Sequence, residues 1–137
     1  SRAVTINDSG DHQLATVMVI RGCTTTGDPW DITATGAKVV ASTTASAPAA
    51  TTTVSNTLVV SVVSRADDSS STLSFGTPTN SVLTSFTDRG EGGTTSGNGG
   101  GFVITSGVKQ IPGDTGVTSF ATAPNTTNAA ITIAFKP

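Results

Sequence analysis

Along this chain apolar residues recur at every second position in short runs, and Gly, Pro, Asn, Asp and Ser separate the runs. A period of two places successive side chains on opposite faces of an extended backbone, so it predicts strands. The clearest run is Thr57 to Arg65, where Leu58, Val60 and Val62 share one face and Val59, Ser61 and Val63 the other. Leu14 to Gly22 is apolar on both faces and predicts a central strand. Further strands are expected at Lys38 to Ser42, weakly at Ala50 to Val54, and at Thr72 to Phe75, Val82 to Thr87 and Gly101 to Lys109. Val117 to Ala121 and Ala129 to Phe135 close the series, with Ile131, Ile133 and Phe135 on one face of the last strand and Ala130, Thr132 and Ala134 on the other. No stretch combines helical spacing of apolar residues with a cap, so little or no helix is expected. Roughly nine or ten short strands with turn signals between them predict an all-β fold, an antiparallel, jelly-roll-like β-sandwich in a single domain over residues 1–137.

The start of the chain echoes its end. Val4-Thr5-Ile6, a polar gap and Leu14 to Ile20 match Val117 to Phe120, a similar gap and Ala129 to Phe135. The echo predicts that the chain begins partway through a repeat. The strand pair Val4 to Ile20 should then show an open edge or take a partner from elsewhere. Two stretches read as connections. Gly90 to Gly101 is a long glycine-rich surface loop, and Thr43 to Thr53 is a weakly structured segment rich in Ala, Ser and Thr.

Composition agrees with a β-scaffold and narrows its partners. Charged residues make up only 12% of the 137, and Thr and Ser supply close to a third. A net charge of −2 with mean hydropathy +0.08 places the chain among folded, not disordered, sequences. A pI near 5.0 without a basic stripe excludes nucleic acid as the expected partner. No run of 18 apolar residues is present, so membrane insertion is not expected. The single cysteine, Cys23, follows an apolar run and reads as a buried, inert thiol.

Candidate chemistry is sparse. A Ser-His-Asp triad would have to use His12, the only histidine, which sits in an Asp-Ser-Gly-Asp-His turn. A zinc site would have only His12 and Cys23 to draw on. The acid pairs Asp28/Asp31 and Asp67/Asp68 do not form a recognisable calcium loop and read as solvated turns. The glycines around Gly92 and Gly100 lack the Gly-Lys-Ser/Thr ending of a phosphate loop. Trp30, the only tryptophan, is expected to cap the core, with a sugar-stacking platform as the other reading. No enzyme, metal or cofactor is therefore expected. The residues singled out for partner or ligand contact are Trp30, Asp28 and Asp31 in the Trp-bearing turn, and Arg89, Glu91 and Asn98 at the glycine-rich loop.

Several strings carry a resemblance. They are Val19-Ile20-Arg21-Gly22-Cys23 leading to Gly27-Asp28-Pro29-Trp30-Asp31-Ile32-Thr33, Ala50 to Val60, Gly99 to Lys109, and Ala130 to Pro137. In order and spacing they resemble a family of tailed-phage and prophage virion structural proteins, over nearly the whole chain. The resemblance implies a jelly-roll-like sandwich on the virion surface or outside the cell, as a tail, fibre or capsid-surface component. It implies no enzymatic activity. Its partners would be other copies of itself, other virion proteins or a host-surface glycan. It also implies a further strand-rich segment ahead of Val4, which would make this chain the C-terminal part of a longer one. It supplies no functional residues. A carbohydrate-binding module and a filament subunit completed by strand exchange stay open as other readings.

Overall fold

The computed structural model describes residues 3–7, 14–66, 75–94 and 99–137. Seven strands run through them: β1 (Trp30–Ala47), β2 (Thr51–Thr52), β3 (Thr57–Arg65), β4 (Thr84–Thr94), β5 (Gly100–Lys109), β6 (Gly113–Asp114) and β7 (Thr118–Phe135). Among the described residues there is no helix. A five-stranded sheet has the order β1-β7-β3-β5-β4, every pairing antiparallel, and β2 and β6 form a two-stranded sheet.

The sandwich arises because β1 and β7 are long enough to belong to both layers. They pair from Trp30↔Phe135 to Ala47↔Thr118, with irregularities between Lys38 and Ser42 and between Ser42 and Thr44. Such irregularities bend a strand and increase its twist. Beyond them, Ala45, Ala47 and Phe120 lie against Val63, Val103 and Ala130 of the five-stranded sheet and, with Phe75, make one core cluster. Val59, Leu83 and Ala134, flanked by Ile32 and Phe86, make a second. Isolated bridges from Phe75 to Thr122 and from Thr79 to Ser119 add a further segment beside the folded-over ribbon.

The core is rich in hydroxyls. Thr57, Ser61, Thr105, Thr118 and Thr132 are all buried. A buried hydroxyl is tolerated when it is hydrogen-bonded. Accordingly Thr132 donates to the Pro48 carbonyl at 2.8 Å, Thr122 to that of Ser42 at 2.9 Å and Thr57 to that of Val54 at 2.7 Å. Ser61 donates to Thr118 across the layers at 3.3 Å. Threonine thus supplies β-propensity and ties one layer to the other.

Four expectations are corrected. Leu14 to Ile20 joins no ladder and is mostly exposed, although it is apolar. The slots on both sides of β3 are taken by β5 and β7, so no central place remains for it. Because Val4 to Asn7 and Leu14 to Ile20 are not strands, the echo does not extend to structure. Among its described residues the glycine-rich stretch is mostly strand, not loop: Gly92 pairs with Phe102, Gly93 with Gly101 and Thr94 with Gly100. Thr43 to Ala47 is the end of β1, and its alanines are core. Expectations placed on His12, Asp67, Asp68, Thr72 to Ser74 and Asn98 lie outside the described residues.

Candidate functional site

The alternation in β3 sends Thr57, Val59, Ser61, Val63 and Arg65 to the inside of the sandwich. Its other face must therefore point outward, and the register extends that face across three strands. Leu58 stands between Phe135 and Val108, Val60 between Ile133 and Ser106, and Val62 between Ile131 and Ile104. Phe102 lies at the end of the same face, opposite Ser64. The result is a largely apolar lattice on the sheet's outer surface, in which Val60 and Ile104 are buried and Ser106 is a polar member. An antiparallel sheet with one face on its core ordinarily turns polar residues to the other. Here Leu58, Val62, Phe102, Val108, Ile131, Ile133 and Phe135 remain only half-buried.

The lattice is partly overlain at its β5 end by Leu14 to Val19. Leu14, Thr16 and Met18 share a cavity of about 480 Å³ with Val62, Phe102, Ile104 and the Gly99–Gly101 backbone. A second cavity, of about 310 Å³, lies between Thr16–Val19 and Arg89, Gly90, Glu91, Phe102 and Ile104. The overlay is therefore loose. Gly92 matters locally, because a Cβ there would stand 2.7 Å from the Phe102 ring. Only a residue without a side chain lets that ring lie flush with β4.

The structure does not gather the residues singled out from sequence into one site. Trp30 opens β1 at one edge of the five-stranded sheet, whereas Arg89 and Glu91 are on β4 at the other. Four strand spacings alone separate those edges by roughly 19 Å. Trp30 does not cap the core; it is 50% exposed, because its position opposite Phe135 puts it at the sheet margin. Asp28 is exposed. Asp31 is engaged structurally, accepting from the Thr53 backbone N–H at 2.6 Å and from the Thr53 hydroxyl at 2.5 Å. Desolvation pushes its carboxyl up, but the bonds from Thr53 and Val54 and the Lys136 charge outweigh this and hold it below the ordinary range. Cys23 is half-buried, not enclosed, since the segment around it runs along the margin near the end of β7, where the Thr24 N–H donates to the Lys136 carbonyl. Among the described residues no three His, Cys, Asp or Glu side chains gather into a metal-binding group.

At the β4 edge, Arg89 Nε donates to Ser106 Oγ at 2.7 Å. Glu91 keeps one carboxylate oxygen buried without a hydrogen bond. Burial pushes its carboxyl up to about 7, and the hydrogen bond and negative charge of Asp88 act in the same direction. The folded protein therefore retains a proton that the unfolded chain releases above about 4.5. Stability should fall as pH rises from 4.5 and level off above about 7. Urea midpoints measured across this window should decline in the parent protein and stay flatter in Glu91→Gln. An equal decline in both would assign the effect to other groups.

The outer lattice could have been found from sequence. The pattern in 57–65 and 129–135 already defines the two faces, but the missing signal was the identity of the inside one. Both faces are apolar enough to be core, and only the folded-over ribbon chooses between them. The chain matches no family model, and comparison with curated proteins and with solved structures returns no match.

Proposed function

We propose that this chain is a non-enzymatic structural protein of a virus-particle surface, a phage tail, fibre or capsid-decoration component acting by protein–protein contact. The observation that carries the reading is the half-buried apolar lattice around Val62 and Phe102, only loosely overlain by Leu14 to Val19. Contiguous exposed apolar surface marks interaction sites, and a low-charge, hydroxyl-rich scaffold offers few other means of adhesion. The resemblance in strand and turn strings supports the particle setting. Jelly-roll-like connectivity and host-surface attachment belong to the same proposal.

The test is made in the strain that encodes the chain. Mass spectrometry of purified particles should find it at many copies per particle, and Val62→Glu, at a half-buried position on the outer face, should move it to the unassembled fraction while its circular dichroism stays β-rich. Absence of the parent chain from particles would overturn the reading.

A further inference from the structure

The chain changes character at Gly22. Downstream of it, the Thr24 N–H donates to the Lys136 carbonyl at 3.2 Å and the Lys136 N–H to the Pro29 carbonyl at 2.8 Å, which fastens the chain to the end of β7. Upstream of it, Leu14 to Ile20 makes no backbone hydrogen bond among the described residues. Gly22 itself has φ +82°, and nothing lies within 4 Å of the place a Cβ would take. A glycine in the left-handed region with open space around it can change its backbone angles at little cost. At the end of a fastened stretch, such a residue is where a hinge forms.

The upstream segment covers one part of the lattice and not the rest. Ile104 borders both cavities beneath the segment and is 6% exposed. Val62, beside Ile104 in register, borders only the larger of the two and is half-buried. Val60 is as well buried, at 4%, but borders neither cavity and is enclosed between Ile133 and Ser106 instead. The segment keeps its seat through Leu14 and Met18, which border the larger cavity and are less exposed than Val17 and Val19. With empty space under those two side chains and no ladder beside them, little holds the seat.

We infer that Leu14–Ile20 is a strap, hinged at Gly22, that swings off the outer lattice and bares Phe102 and Ile104 for contact. The inference rests on the reading of the lattice as a contact surface, and it adds what controls access to that surface. Closed, the strap keeps the apolar end of β5 from water. Open, it joins that end to the half-buried patch around Val62 and enlarges the surface a partner can use. Segments with few buried apolar contacts and no protected backbone bonds open at the smallest free energies, so the strap opens while the sandwich stays whole.

The test uses the full chain with Cys23→Ser as background and follows modification by N-ethylmaleimide at two buried outer-face positions, Ile104→Cys and Val60→Cys. Leu14→Asp with Met18→Asp removes the apolar seat of the strap. The pair should speed modification of Ile104→Cys about tenfold or more, since the reagent enters through the open state. Modification of Val60→Cys should stay slow, and circular dichroism should not change, because the strap lies outside every ladder. In the parent chain the amides of Ala15 to Ile20 should exchange with solvent as freely as in an unfolded chain, whereas that of Thr24 should be slowed. An unchanged rate at Ile104→Cys, an equal acceleration at Val60→Cys, or slowed exchange across Ala15 to Ile20 would overturn the inference. A strap that opens in a chain absent from particles would sink the particle reading and leave the inference standing. A chain present in particles whose Ile104→Cys ignores the strap would do the reverse.

Discussion

Phe120→Ala is expected to cost about 3–5 kcal/mol of folding stability. Phe120 is among the largest fully buried side chains and lies in the cluster that joins the folded-over ribbon to the five-stranded sheet. Its ring meets Phe75 edge-to-face, with centroids 6.4 Å apart and planes at 76°. Phe75 also carries the Arg65 guanidinium, 5.5 Å from its centroid. Two of the cluster's members, Ala45 and Ala47, are too short to collapse into the space a missing ring would leave. The cost therefore belongs toward the upper part of that range, since it grows with the cavity that remains. Urea denaturation should show a lower midpoint with an unchanged slope. A loss below about 1 kcal/mol would mean that the ribbon is held over the sheet by something other than this cluster.

The second large effect is expected at Asn80. Its Nδ2 donates to the Thr115 carbonyl at 3.1 Å and to Thr118 Oγ1 at 3.0 Å, with a weaker reach to the Gly116 carbonyl at 3.5 Å. Its Oδ1 accepts from the backbone N–H of Val82 at 2.9 Å and of Leu83 at 3.1 Å. One side chain thus ties the segment entering β4 to the turn entering β7. The fit is tight: Gly116 has φ +68°, and a Cβ there would come 2.7 Å from Val82 Cγ2. Asn80→Ala leaves several polar groups in a half-buried place without partners, each costing about 1–3 kcal/mol where water cannot replace the bond. Allowing for water at the exposed Val82 side, a total of about 2–4 kcal/mol is expected. Asn80→Asp keeps the acceptor and loses the donors, so it should recover only part of the loss. Full recovery in thermal or urea unfolding would show that the bonds to Thr115 and Thr118 contribute nothing.

Some of this architecture was legible residue by residue. The strand at 57–65 has the predicted bounds, and the two faces of 57–63 and 130–135 divide as their alternation says. That follows because a period of two is a local property of an extended chain and needs no partner to be read. The candidate site was less legible. Trp30 and Glu91 stood out chemically, but chemistry by type says nothing of which strand becomes neighbour to which, and these two ended at opposite sheet edges.

The sequence by itself determined an all-β chain with antiparallel, hydroxyl-rich strands and an absence of helix signals. Only the tertiary structure decided which stretches became strands where local preference is weak or misleading. Gly90 to Thr94 has poor strand propensity and is strand because β5 supplies the ladder. Thr43 to Ala47 has no hydrophobic period, and its two alanines are core because its register with β7 brings them over Val63. Leu14 to Ile20 has every local mark of a strand and is none, because a strand exists only by its hydrogen-bonded neighbour, and within this chain the neighbouring places beside β3 are already filled.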